Sequence, residues 1–284
     1  MSVESLDLES VRKLPAEERV SALVELGRRT LDGQHAADGI VDALVGALEE
    51  GAGSVADRVA LGEVLGLLGD PRLRNPGDEE YWARVPGEAD DVVIGRYMVT
   101  NAEFQAFVEA GGYSDGDHWS EEGRAWLRSN QDSWPERASA EDAATFVVPN
   151  QPVVGVSFHE ASAFARFHGC RLPRFDERLW VVRGEERRPY PWGAPFGAGN
   201  ANTKEEVIGR PTAVGLFRND RTPEGVYDLA GNAAEWSEEG VGNERWIHPG
   251  SWDQPSMAAW AKARESEHVG ARWGGLGFRL VRGK

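Results

Sequence analysis

The chain has 284 residues, 40% of them hydrophobic, enough to fill one large domain or one domain with a small appendage, and the second arrangement is expected. Forty-seven acidic against thirty-one basic residues give a formal charge of −16, which opposes a nucleic-acid partner, and the densest basic stretch, 183–188, is broken by Glu185 and Glu186. No membrane partner is expected, because residues 1–10 hold neither a basic nor an apolar run and nothing later reaches the roughly 18 apolar residues that span a bilayer; the expected location is cytoplasmic.

Residues 1–75 read as a helical N-terminal region. The segment 17–30 sets Val20, Leu23, Val24 and Leu31 on one stripe, and 40–48 repeats the spacing with Ile40, Leu44, Val45 and Leu48. Ser54 is placed to cap a third helix whose apolar Val55, Val59, Leu61, Leu65 and Leu68 stop at Gly69-Asp70-Pro71. Helix pairs ending this way are similar to HEAT repeats; the segment equally suits a docking cap on a larger domain. A linker is expected over 72–79, with Pro76 and Gly77.

The domain 76–284 has a different character. All 11 tryptophans lie in it, among short apolar runs and many glycines, which predicts an α+β fold with long ordered loops over a small sheet. Two helices are predicted, 101–110 with Phe104, Phe107 and Val108 inward, and 160–168 with Ala163, Phe164 and Phe167 inward. The single cysteine, Cys170, excludes an internal disulfide and reads as a core thiol.

Known catalytic signatures are missing. There is no Gly-x-Ser-x-Gly, Walker or Rossmann pattern, and Gly274-Gly-Leu-Gly-Phe278 lacks the helix and lysine of a phosphate loop, so its expected role is to let the final strand pass close under neighbouring loops. His118, His159, His168, His248 and His268 show no helical ligand spacing, and the N-terminal helices hold only His35.

Five segments occur in an order that resembles the formylglycine-generating enzyme, or sulfatase-modifying factor, family: Tyr97-Met-Val-Thr-Asn-Ala-Glu-Phe104; Asn150-Gln-Pro-Val-Val-Gly-Val-Ser157, expected to form a strand; Arg171-Leu-Pro173; Tyr190-Pro-Trp-Gly193; and Gly225-Val-Tyr-Asp-Leu-Ala-Gly-Asn232 with Gly277-Phe-Arg279. The resemblance implies a C-type-lectin-like fold, with 112–150 as an insertion that walls a groove. Three departures stand out. Arg174-Phe-Asp-Glu-Arg-Leu-Trp180 replaces a carboxylate-rich run, Ala234 replaces a tryptophan, and an early Met-Gly turn is absent, so the first strand is expected to be trimmed. Where catalytic members carry two cysteines, this chain reads Pro249-Gly-Ser-Trp-Asp-Gln-Pro-Ser-Met-Ala-Ala259, so copper chemistry, which needs two thiolates, is not expected.

The resemblance also implies calcium as a structural cofactor. A first set would use Asp228, Gly231, Ala233 and Glu235, and a second Asn202, Thr203, Glu205 and Val207, since a hard cation takes carboxylate and carbonyl oxygens from closely spaced loop residues. The residues leave another reading open, in which Asp228 and Glu235 cap the turn and pair with arginines. Iron is not expected for want of a His-x-x-x-His-Glu pattern. A binding groove is implied along 246–273, carried by Trp246, His248, Ser251, Trp252, Asp253, Gln254, Trp260, His268, Arg272 and Trp273, residue types that dominate recognition surfaces. The expected function is a non-catalytic binding or regulatory module for a protein or peptide, of the kind found in bacterial signalling and defence systems, with a small-molecule ligand also compatible. The alternatives are an iron-dependent oxidoreductase acting on a small thiol or peptide, the ligand-binding variable protein of a diversity-generating retroelement, and, by fold analogy alone, a sugar-binding lectin.

Overall fold

The fold is taken from a computed structural model that describes residues 7–34, 38–87, 90–130 and 146–283. His35 and most of the second half of the expected groove wall, 131–145, lie outside the described residues.

Four helices open the chain: α1 (Leu8–Arg12), α2 (Ala16–Leu31), α3 (Ile40–Glu50) and α4 (Val55–Leu68). The stripes expected from the sequence form one apolar cluster in which Val20, Leu23, Leu44, Leu48, Leu61 and Leu65 are buried. Ser54 caps α4 through a reciprocal box with Asp57, which satisfies two of the orphan N–H groups at the helix start. The cluster does not close on itself: Ala213, Leu216 and Phe217 complete it from a distant loop. Gly62 makes that approach possible, because a Cβ there would sit 2.8 Å from the Ala213 Cβ.

The expected linker 72–79 is tied down where it begins. Asp70 pairs with Arg72 at 2.6 Å and accepts a 2.9 Å hydrogen bond from the buried Asn150 side chain, whose Nδ2 also donates to the Gly62 carbonyl. Strands β1 (Trp82–Val85) and β2 (Val92–Gly95) then form an antiparallel pair. The helix α5 (Asn101–Glu109) starts at a second capping box, Thr100 with Glu103. The helix α6 (Glu121–Ser129) follows, then α7 (Phe158–Phe167), capped by Ser157 and Glu160, and α8 (Phe175–Arg183). The segment 150–157, expected as a strand, is extended chain with one bridge, Thr100↔Pro152; Val153 donates to Val99 and Gly155 to Leu276, so its hydrogen bonds go to two different partners and no ladder develops.

The second sheet has the order β5-β4-β3-β6, built from β3 (Ala234–Val241), β4 (Glu244–His248), β5 (Glu265–His268) and β6 (Leu276–Gly277). Only β3 and β6 are parallel. The segment after β6 returns along β2: Gly95 donates to Leu280, and Val281 bridges both Ile94 and Arg171. Gly277 makes this passage possible, since a Cβ would strike the Val153 carbonyl. The main core lies between this sheet and α5 and α7, with Phe104, Phe107, Phe164, Trp236 and Phe278 buried together. Ala234, where a tryptophan was expected, is fully buried there. Cys170 is half-buried rather than sealed in the core, and burial pushes its thiol up. The architecture is α+β. Among the described residues no helix is long and apolar enough to cross a membrane.

Candidate functional site

β3 carries Glu235 into the interior, where it is 0% exposed. Burial opposes its charge, yet its carboxyl is held below the usual range by two guanidinium groups. Arg178 of α8 donates to Oε1 at 2.6 Å; Arg279 donates to Oε2 at 2.5 Å and to Oε1 at 3.0 Å. Arg279 also donates to the carbonyls of Gly95, Tyr227 and Asp228, and Arg178 to that of Leu229, so the two arginines fasten residue 95 and the 227–229 segment to one carboxylate. This triad answers the question left open for Glu235 in favour of pairing with arginines. Asp228, also buried, accepts from the Gly215 N–H at 2.8 Å.

The fit of a calcium ion differs between the two expected sets. In the first, Glu235 has both oxygens committed to positive charge, so it does not fit as a ligand. In the second, Asn202 Oδ1 is buried and has no partner among the described residues, a hard donor beside Thr203, while the Glu205 carboxylate accepts from Thr203 Oγ1 and the Ser256 N–H. Those bonds lower Glu205 to about 2. Val207 stands in the left-handed region at φ 57, which turns the loop there. Among the described residues no three His, Cys, Asp or Glu side chains share a donor set.

The residues expected to line one groove fall into three groups. The first gathers where the 251–254 turn meets 273–275. Trp252 Nε1 donates to the Gly274 carbonyl at 2.9 Å and its ring meets Phe146 at 5.7 Å. Ser251 bonds to Asp253 and Gln254, and Gln254 Oε1 takes the Gly250 N–H. Trp273 is half-buried beside Asp253, and its Nε1 is a buried donor without a partner among the described residues. The second group lies on the face of β4 toward α8: His248 stacks on Phe175 at 4.1 Å, and Arg264 covers Trp246 at 4.5 Å. Burial, with Arg178 and Arg279 nearby, pushes His248 well down, so it is a neutral ring in a packed stack. The third group joins His268 and Arg272 to α6 and α7: Arg272 stands 5.3 Å over Trp126, whose ring is 5.5 Å from His159. Trp260 is exposed at 47%. Trp252, Asp253, Gln254 and Trp273 thus remain as one candidate face, over the fully buried Ser251.

Sequence reasoning missed the residues that organise these groups. Arg178 sits in the run noted as a departure, which is the helix α8, and Arg279 was counted only as part of a motif. Glu177 in the same helix makes a two-toothed pair with Arg171, at 2.6 and 2.7 Å, so a carboxylate role survives there despite the altered run.

Known proteins provide the wider frame. Hercynine oxygenase of Mycolicibacterium thermoresistibile is 33% identical over 156 residues, covering 51% of this chain and 34% of that protein. The formylglycine-generating enzyme of Bos taurus is 29% identical over 204 residues, covering 60% of this chain and 54% of that one. The chain therefore spans about a third to about half of the length of these curated relatives. The structure of PvdO from Pseudomonas aeruginosa aligns with a TM-score of 0.51 at 20% identity, covering 72% of this chain and 91% of that chain, a likeness of fold alone. Residues 62–284 match the Sulfatase-modifying factor enzyme 1-like domain, and the chain belongs to that family.

Proposed function

We propose that the chain is a binding module of this family, recognising an extended peptide segment of a protein partner through the face formed by Trp252, Asp253, Gln254 and Trp273, with the buried Ser251 holding Asp253 and Gln254 from beneath. The observation that carries this is the unspent polar capacity among the aromatics: among the described residues the Trp273 indole N–H has no partner, and the Asp253 carboxylate is exposed beside it. A peptide backbone presents a carbonyl acceptor and an N–H donor at short spacing, which suits that pair, while flat rings cover its side chains at little rotamer cost. The chain contains one cysteine, at position 170, far in sequence from this face, so it is read as non-catalytic with respect to copper. Calcium belongs to the proposal as a structural ion at the Asn202 and Glu205 loop, which would hold it through Asn202 Oδ1 and the neighbouring carbonyls.

The test is selection of peptides from a random displayed library on the full chain and on Trp252→Ala. Enrichment on the native chain that vanishes in the variant, at an unchanged melting temperature, is the expected result; no enrichment on the native chain sinks the reading. A second reading, an iron-dependent oxygenase, draws on the 33% identity to hercynine oxygenase. Metal analysis separates the two, because iron near one per chain would displace the binding module in favour of the enzyme.

A further inference from the structure

In a chain of net charge −16, one place concentrates positive charge. Where α3 and α4 meet the domain, a cavity of about 320 Å³ is lined by Arg58, Arg218 and Arg221 with Asn219, Glu50 and Gly51. It shares Arg218 and Arg221 with an adjoining cavity of about 230 Å³ that adds Arg72, Tyr97, Tyr227 and Glu49. Four arginines and two tyrosines therefore face one continuous recess, which shares no residue with the Trp252 face.

These arginines are held in place. Leu216 and Phe217 are anchored in the helical core, and Asp220 is buried with its carboxylate accepting the N–H groups of Leu229 and Ala230, so the intervening Arg218 and Asn219 are displayed by a loop pinned at both ends. Arg221 donates to the Tyr227 hydroxyl at 3.1 Å and lies over its ring. Arg72 pairs with Asp70 and stands over Tyr97, and Arg58 donates to the Gly53 carbonyl. Arg218 differs from the rest: it is exposed, and among the described residues no hydrogen bond or ion pair engages it, although Glu49 and Glu50 line the same recess.

The planar fork of arginine matches a tetrahedral oxyanion in bidentate fashion, and Arg218 can offer it without giving up another bond among the described residues. The tilted pair Tyr97 and Tyr227, 5.1 Å between ring centres, gives the adjoining space an aromatic wall. The volume of the larger space lies at the lower end of the range of small-ligand pockets. We infer that this recess binds a phosphoryl group, with Arg218 and Arg221 as its main contacts and the tyrosine wall receiving a ring attached to it. Because Leu48, Glu49 and Glu50 of α3 and Arg58 of α4 line it beside Arg218 and Arg221, occupancy ties the helical region to the domain.

Calorimetric titration of the full chain with inorganic phosphate and with phenyl phosphate tests this. Saturable binding of either anion, weakened at least tenfold in Arg218→Ala without a change in the melting temperature of the unliganded chain, is expected. Tighter binding of phenyl phosphate identifies an aromatic phosphate ester as the ligand class, and equal binding identifies the free anion. Absence of saturable binding by both, or unchanged affinity in Arg218→Ala and Arg221→Ala, overturns the inference.

Discussion

A carboxylate sealed from water must be matched, and Glu235 is matched by two cations that reach it across 57 and 44 residues of sequence. Replacing it by glutamine keeps the shape but leaves Arg178 and Arg279 facing a neutral amide. Because stranding one partner of a buried pair costs about 3–5 kcal/mol, Glu235→Gln should lower the unfolding free energy read from denaturant curves by that much or prevent folding, whereas Glu177→Gln, at a pair whose side chains are 21% and 22% exposed, should cost less. Equal effects of the two would mean that the triad is not the keystone. Glu103 behaves in the opposite sense. Burial raises it to about 7 despite the Thr100 bonds that favour its charge. A carboxyl raised in the folded state holds its proton between pH 4.5 and about 7 while the unfolded chain has lost it, so its contribution is fully present below 4.5 and is lost as pH rises toward 7. The isosteric Glu103→Gln should flatten the decline in stability between pH 5 and 7 by up to about 3 kcal/mol, at 1.36 kcal/mol per pKa unit; an unchanged slope in thermal melts across this range would refute the assignment. The importance of Asp228 and Glu235 was legible from their motif. Their partners were not, since nothing local in a sequence marks an ion pair that closes over forty residues or more.

At the scale of elements, legibility followed the caps and the apolar stripes. α2, α3, α4 and α5 stand within about two residues of their predicted spans, and α7 begins two residues earlier than expected because Ser157, not the residue before Glu160, takes the cap. α8 escaped notice because its buried face runs Phe175, Arg178, Val181 and Val182, and the arginine at its centre interrupts the apolar pattern. α6 buries only Gly123 fully, and its Trp126 and Leu127 merely lean on the main core. The single expected groove dissolved into three groups because alternate residues of β4 face opposite sides, which sends Trp246 and His248 toward α8 and away from Trp252. Packing between elements makes its own test at Gly62. Alanine there improves helix propensity by about 1 kcal/mol, yet its methyl would overlap Ala213 and press on Leu216 at 3.2 Å. Overpacking of about 1–3 kcal/mol should win, so Gly62→Ala is expected to melt below the native chain. A variant that melts higher would show that α4 does not rest on 213–217.

For the whole molecule, the segment after β6 closes the fold. Through Leu280 and Val281 it joins β2 to the 171 region, and through Arg279 it completes the charge balance around Glu235. Such contacts join positions nearly two hundred residues apart, as between Arg279 and Gly95 at a separation of 184, so closure is slow relative to local helix formation. During synthesis, α1–α4 have their own stripes to bury early, but their cluster waits for Leu216 and Phe217, and the sheet waits longer still for residues 276–281. A chain that ends before residue 276 therefore lacks the strand that pairs with β3 and one of the two guanidinium groups that balance Glu235. The last few residues thus decide both the pairing of the sheet and the neutrality of the interior, and a chain shortened at this end is expected to expose apolar surface and a strand edge.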